Sequence, residues 1–374
     1  MTVAGLCNVA YGSVSIAIVT FNSSRYIRRC LEAVLSQEGA PLEVVVADNA
    51  STDGTPSILR NFRSRIRVIQ NTHNLGFAAG QNRAIRESRS ADWVLTLNPD
   101  VLLEPGFVRR LVESGASDSS VGAVCGKLLS IAPGFQPLPA PRIDSAGIYF
   151  TPNMRHFDRG WHERDEHRYD APEYVFGASA AAALYRRQMI EDVAIDGEFF
   201  DPDFFVYRED ADVAWRAQLL GWRCLYTPSA VGHHVRTVTP MNRASVPAFI
   251  NMHSVKNRFL MRIKNATPGL YRRYWLPMTM RDLVVMGGAI FWEPTSLPAF
   301  WRVARCLPRA LKQRRQIMAR RRVTDQELAQ LFGTPGGPPI VAEAGIQPAH
   351  GTGPTQRLPA ILPEPQAEPA QQQS

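Results

Sequence analysis

The sequence predicts an α/β protein with a mainly parallel central sheet, a helical C-terminal extension and a disordered tail. Three observations carry this. Short apolar, β-branched runs alternate with segments of helical period as far as Cys125. Those runs are apolar throughout, as strands of a parallel sheet covered on both faces must be. Two of them end in polar sequences, at the carboxyl edge where open α/β sheets hold ligands.

The elements follow in order. Val14–Thr20 reads as the first strand, and Arg25–Gln37 as a helix with Ile27, Leu31, Val34 and Leu35 at helical spacing. Leu42–Ala47 is the second strand. Pro56–Phe62 suits a short helix with proline in its first turn. Ile66–Ile69 and Trp93–Leu97 are strands on either side of a helix over Ala78–Arg89. Pro105–Ser114 is helical and Val121–Cys125 strand-like, after which the pattern breaks. Ile131–Arg142 is proline-rich and reads as loop, and the highly charged stretch Arg155–Asp170 reads as exposed. Structure returns from Tyr174 to Val238, with a strand over Cys224–Tyr226, and helices fill much of Val246–Arg322. Beyond Gly333 the chain is dominated by Pro, Gly, Gln, Ala and Glu, a composition that cannot bury a core.

Composition excludes several classes. The chain has 374 residues, of which 45% are apolar and 20% charged, so it is neither wholly disordered nor fibrous. Lys and Arg number 42 against 34 Asp and Glu, a net +8. That excess suits anionic substrates or an anionic membrane surface and does not call for nucleic acid. Cys7, Cys30, Cys125, Cys224 and Cys306 are odd in number and form no C-x-x-C pair, which fits a reducing compartment. The first residues lack the pattern of a signal peptide, and no run reaches the ~18–20 apolar residues of a membrane span. A cytoplasmic location is expected, with peripheral contact to the inner face of the membrane as the alternative.

Four clusters carry candidate chemistry. Asp48 closes an apolar strand and Asp53-Gly54-Thr55 turns the chain onward, so both acids suit either ligand contact or turn and helix capping. Asn98-Pro99-Asp100 follows the fourth strand; proline cannot extend the ladder, so Asp100 projects from the strand end. A carboxylate there suits a hard cation that bridges phosphates, and equally a helix cap. The third cluster runs from Phe200 to Asp212, with Glu209, Asp210 and Asp212 beside Phe204, Phe205 and Tyr207. An apolar wall and neighbouring carboxylates raise a carboxyl pKa, which is one way to build a general base. Asp212 and Arg216 stand i, i+4 and can instead pair along a helix. The fourth is His233-His234. In an extended segment Ala230, Gly232 and His234 share one face and His233 takes the other, and either imidazole suits a divalent ion.

Taken in order, these clusters resemble the family-two inverting glycosyltransferases of the GT-A fold, within them the bacterial rhamnosyltransferase-like branch. The resemblance rests on Val19-Thr20-Phe21-Asn22, Asp48 to Thr55, Asn74-Leu75-Gly76-Phe77, Asn82, Leu97-Asn98-Pro99-Asp100, Gly177-Ala178, Phe200-Asp201, Phe204 to Asp212, Trp215-Arg216, Gly221-Trp222 and His234. It spans Ser13 to Asn265. It implies a catalytic domain over 13–240, a helical, basic region over 241–332 and a tail over 333–374. Asp48 would recognise the nucleotide base beside the Thr20–Asn22 backbone, with Asp53, Asn74 and Gly76 in the same nucleotide-sugar-binding stretch. Asp100 matches the metal-binding acid of a D-x-D signature whose first acid is here Asn98. His234 would complete a Mg²⁺ or Mn²⁺ or diphosphate site, and Asp210 would be the catalytic base. Glu209, Asp212, Arg216 and Gly177 would support it. The implied partners are a nucleotide-sugar donor, dTDP-rhamnose for this branch, and a glycan or lipid-linked acceptor.

The rival classes are weaker. A sugar-phosphate nucleotidyltransferase needs a glycine-rich phosphate loop that the first strand lacks, and no G-x-G-x-x-G supports a dehydrogenase. A non-catalytic nucleotide-sugar or glycan binder is countered by the intact Asp100, Asp210 and His234. From Arg302 to Arg322 a basic run lies near Trp292 and Trp301, which fits a helix on an anionic membrane and equally a solvated helix packed on the catalytic domain.

Overall fold

A computed structural model describes residues 12–38, 42–88, 90–236 and 247–333. The tail expected to be disordered lies outside the described residues, apart from Gly333. The described residues fall in one compact unit.

The first half alternates strand and helix as expected. The strands are β1 (Val14–Thr20), β2 (Leu42–Asp48), β3 (Arg67–Gln70), β4 (Trp93–Leu97) and β5 (Val101–Leu103), and the helices between them α1 (Ile27–Leu35), α2 (Thr55–Asn61) and α3 (Gly76–Glu87). All of β1 and β4 is buried, because helices or loops cover both faces. Helix α1 buries Ile27, Cys30, Leu31 and Val34, a single 3.6-period stripe. Then come α4 (Phe107–Ala116), β6 (Val121–Ser130), β7 (Ile143–Ser145), β8 (Ile148–Phe150), β9 (His156–Asp158), β10 (Glu173–Val175) and β11 (Ala182–Arg186). Helices α5 (Arg187–Val193) and α6 (Glu209–Leu219), strand β12 (Arg223–His234), and helices α7 (Ala248–Asn265), α8 (Pro268–Phe291), α9 (Pro298–Ala319) and α10 (Asp325–Gln330) complete it.

The main sheet runs β10–β12–β6–β11–β4–β1–β2–β3, with β5 on β12 and β7 on β6. Strand β1 pairs in parallel with β2 and β4, β2 with β3, and β12 with β6. Strand β11 is antiparallel to both β4 and β6, so the sheet is mixed though mainly parallel.

Three sequence expectations are corrected. β6 continues past Gly126 to Ser130, where it gains β7 as a partner. β12 is one strand and not two pieces; Pro228 has no N–H to donate, and the ladder slips register between Thr227 and Val231 around it. The stretch Arg155–Asp170 is not uniformly exposed: Tyr169 is buried, and Arg159 pairs with Glu173 at 2.5 Å. Helix α8 kinks at Tyr274, ahead of Pro277, which cannot donate to the preceding turn.

Candidate functional site

Three parallel strands end side by side. Register places Thr20 opposite Asp48, and Asp48 opposite Gln70. Asp48 is fully buried and both its oxygens are engaged. Oδ1 accepts from Thr20 Oγ1 at 2.8 Å and Ser51 Oγ at 2.5 Å, and Oδ2 from Gln70 Nε2 at 2.6 Å and Ser51 N at 3.3 Å. Nearby, Asn22 takes a left-handed φ of 51° and its side chain accepts from Thr52 N. Asp53 holds the turn by accepting from Ser24 N and Thr55 N. Desolvation raises its pKa, and hydrogen bonds from Thr55 and Ser24 outweigh it and bring it to about 2. Asn74 Oδ1 accepts from Gly76 N at 2.8 Å. Gly76 has φ +80°, and a Cβ there would strike the Phe205 carbonyl, so no other residue fits so close an approach.

Beyond β4 the Asn98-Pro99-Asp100 turn leads into β5, which pairs with the end of β12. That pairing sets Asp100 Oδ1 3.5 Å from His234 Nε2. His234 Nδ1 lies 2.8 Å from Asp144 Oδ2, and Arg236 binds both oxygens of Asp144 and reaches Asp158 at 2.8 Å. Burial opposes charge on His234, but the carboxylates of Asp144 and Asp100 prevail and raise it to about 10. Burial also works against the Asp144 carboxylate; His234 and Arg236 hold it well below the usual range. His233 points the other way, as alternation predicts, and meets Glu104 at 3.0 Å.

These groups suit a divalent ion only as part of its shell. Among the described residues no three acidic, histidine or cysteine side chains converge on one point. Asp100 offers one oxygen and His234, once its ring gives up the Nε2 proton, one nitrogen; Asp144 behind His234 is placed as the outer carboxylate that would fix a ligating imidazole. Mg²⁺ and Mn²⁺ accept so few protein ligands when phosphates and water supply the others.

The segment after Gly177 joins this cluster to α6. Asn98 N donates to the Ala181 carbonyl at 2.9 Å, and Ala180 N donates to Asp210 Oδ2 at 3.3 Å. Gly177 itself is a packing position, since a Cβ there would collide with that of Ala214 on α6. Burial first, and the charge of Asp158 second, push Asp210 up to about 6 against hydrogen bonds from Ala211 and Ala180 and the pull of Arg236. Glu209 is buried with Oε2 unpartnered; desolvation and then Asp210 drive its pKa well above the ordinary value.

The loop into α6 is strained. Phe205, Tyr207 and Arg208 take φ of 63°, 66° and 72°, a left-handed region that bulky residues avoid at about 1–3 kcal/mol each. Asn257 on α7 holds it, because its Nδ2 donates to the carbonyls of Phe204, Val206 and Tyr207 at 2.7–2.8 Å. Arg208 Nε adds a bond to the Ser254 carbonyl. Behind the loop, Asp212 is fully buried and accepts from Arg216 at 3.0 Å, Lys264 at 3.0 Å and Asn265 at 2.8 Å. Lys264 also binds Asp201 at 2.7 Å. The i, i+4 pairing of Asp212 with Arg216 is therefore present, in the core and not on a surface.

Sequence reasoning missed Gln70, Asp144, Asp158, Arg236, Asn257 and Lys264. Only Asp144 carried a local signal, an acid between apolar residues in Arg142-Ile143-Asp144-Ser145-Ala146.

The comparisons with known proteins agree with this fold. The family model described as glycosyl transferase family 2 matches residues 15–194. An N-acetylglucosaminyl-diphospho-decaprenol L-rhamnosyltransferase of Mycobacterium tuberculosis is 28% identical over 62% of this chain and 78% of its own length. The O-antigen chain rhamnosyltransferase WbaN of Salmonella anatum is 26% identical over 56% of this chain and 61% of its own. Among solved structures, GalNAc-T7 with UDP, GalNAc and Mn²⁺ superposes with a TM-score of 0.54 at 13% identity, over 69% of this chain and 48% of that one. S. aureus TarS 1–349 with UDP-GlcNAc gives 0.51 at 15% identity, over 86% and 92%. With its strand ends, its mixed sheet and these matches taken together, the chain carries a glycosyl transferase family 2 domain over residues 15–194 and has the GT-A fold.

Proposed function

We propose that this glycosyltransferase moves rhamnose, from a nucleotide-diphosphate donor such as dTDP-rhamnose, to a hydroxyl of a glycan or lipid-linked acceptor, with inversion. The observation that carries the reading is a half-buried carboxylate, Asp210, raised to about 6 and joined through Ala180–Ala181 to the Asn98-Pro99-Asp100 turn. The sugar is supported by the two rhamnosyltransferases at 26–28% identity.

The roles follow from chemistry. The acceptor hydroxyl attacks the anomeric carbon as the bond to the diphosphate oxygen breaks, and Asp210 takes the hydroxyl proton. Attack opposite the leaving group needs one base and no covalent intermediate. Asp100 and His234 would hold a Mg²⁺ or Mn²⁺, which offsets the negative charge developing on the departing diphosphate. Asp48 would accept from the base, with Thr20 and Asn22 beside it. Gln70 now fills one of its oxygens, so base binding displaces that amide.

The test is a panel of nucleotide sugars incubated with Mg²⁺, Mn²⁺ or a chelator. Metal-dependent hydrolysis of a deoxythymidine-diphosphate sugar is expected, lost in Asp100→Ala while its melting temperature holds, since Asp100 sits at a strand end. Normal turnover in Asp100→Ala, or no donor bound at all, would remove the reading.

The two histidines separate the metal site from its surroundings. His234→Ala should raise the metal concentration needed for half-maximal rate by about tenfold or more, the usual range for a ligand shell that is cut. His233→Ala, on the Glu104 side, should change it little. Equal shifts in a metal titration would refute the assignment.

A further inference from the structure

Helices α8 and α9 carry an apolar surface that none of the described residues covers. From Leu283 to Trp292 there is no charge. Leu276, Met280, Leu283 and Ile290 stand i, i+4, i+7 and i+14 on α8, and all are exposed. Leu297, just ahead of α9, and Trp301, Ala304, Pro308 and Leu311 on it form the same kind of exposed stripe. The chain between the helices presents Phe291 at 75% and Trp292 at 82% exposure, with Trp301 at 70%. A soluble surface rarely gathers so many large apolar groups without a partner. Neither helix is long and apolar enough to cross a bilayer, and the two are bent by 114° at the break between them.

Charge selects the partner. Between Leu283 and Val323 the only acid is Glu293, against nine Lys and Arg. Arg302 and Arg305 make no ion pair among the described residues and flank the α9 stripe. Two such surfaces would repel each other, which counts against a second copy of this chain. Aromatic side chains at a tip, apolar stripes beside it and arginines along the flank match the layers of a bilayer interface: acyl boundary, headgroups and anionic surface.

We propose that α8 and α9 form a monotopic membrane anchor. Phe291, Trp292 and Trp301 insert at the headgroup–acyl boundary of an anionic bilayer, and Arg302 and Arg305 bind its phosphates. The anchor does not depend on which sugar is transferred, and its test has no activity readout.

The full chain is sedimented with sucrose-loaded phosphatidylcholine vesicles, with and without phosphatidylglycerol. Strong binding is expected only with the anionic lipid, weakening as salt rises. F291S/W292S should lower the partition coefficient by about tenfold or more on anionic vesicles. R302Q/R305Q should abolish most of the preference for phosphatidylglycerol, a loss of about tenfold or more. Both variants alter exposed residues, so their thermal melts should match the parent and a folding defect would be seen directly. No binding to anionic vesicles, or binding unchanged in both variants, overturns the proposal. So does a dimer in sedimentation velocity that F291S/W292S abolishes while vesicle binding is absent, which would make a second copy the occupant.

Discussion

Asp210→Asn is expected to lower sugar transfer by about 10²–10⁴-fold while donor affinity stays near that of the parent. Asparagine keeps the shape and its one amide oxygen can still accept from Ala211 N, at the cost of the weaker bond from Ala180 N, yet it cannot take a proton. Glu209 is the rival. Its carboxyl is buried, with one oxygen unpartnered, and burial first and the charge of Asp210 second push its pKa well above the ordinary value, which favours its neutral form. Glutamine mimics that neutral acid, so Glu209→Gln should retain most of the rate. The pH profile adds a second readout. Asp210 must be ionised to act, and it is held at about 6, so the rate should rise with pH through that region. In Asp210→Asn the rise should vanish. Donor affinity measured by calorimetry separates lost chemistry from lost binding. Normal transfer in Asp210→Asn together with an inactive Glu209→Gln would assign the base to Glu209.

Lys264→Met should destabilise the fold by about 3–5 kcal/mol, the range for breaking a buried ion pair from one side. Lys264 is fully buried, with Asp201 at 2.7 Å and Asp212 at 3.0 Å. Without its ammonium, Asp201 keeps the Asp203 N–H at 3.0 Å and, for counter-charge, the distant Arg309 at 4.0 Å, while Asp212 keeps Arg216 and Asn265. Adding Asp201→Asn should recover part of the loss, because it removes the stranded charge. The same pair predicts acid sensitivity. Burial raises the Asp201 pKa, but Lys264 overcomes this and holds it at about 2. A depressed carboxylate gives its full stabilisation above its unfolded pKa of ~3.9 and loses it as pH falls toward the folded value. Urea unfolding of parent and variant should therefore converge between those two pH values. A difference under ~1 kcal/mol at neutral pH would show that the network is dispensable.

What the sequence made legible follows from distance along the chain. β1 and β4 were readable because every residue in them is apolar or small and both faces are covered. The i, i+4 pair Asp212–Arg216 was readable, and so was the opposite facing of His233 and His234, since helix and strand periods set both. The partners of Asp144 lie 90 and 92 residues away, and those of Lys264 52 and 63 away, so only the sheet and α7 bring them together. Asp48 illustrates a different limit. Its place at the strand end was evident, but the amide of Gln70 on its carboxylate depends on the β2–β3 register. The strand read over Cys224–Tyr226 stops short of Pro228, whose lost donor is visible in sequence, while the parallel partner that carries β12 past it is not.

The clamp of Asn257 on the loop before α6 has a consequence for how the enzyme is made. Ribosomes deliver the chain from the N-terminus, and domains fold as they emerge. A nascent chain exposed as far as β12 already holds the strand ends, the Asp100 turn and His234. It lacks the amide that keeps Phe205, Tyr207 and Arg208 in their left-handed conformations, and the lysine that neutralises Asp201 and Asp212. The loop that leads into Glu209 and Asp210 is thus clamped only when α7 has left the exit tunnel and docked. The newborn protein passes through an interval in which its strand ends are complete while the loop ahead of α6 is still unclamped.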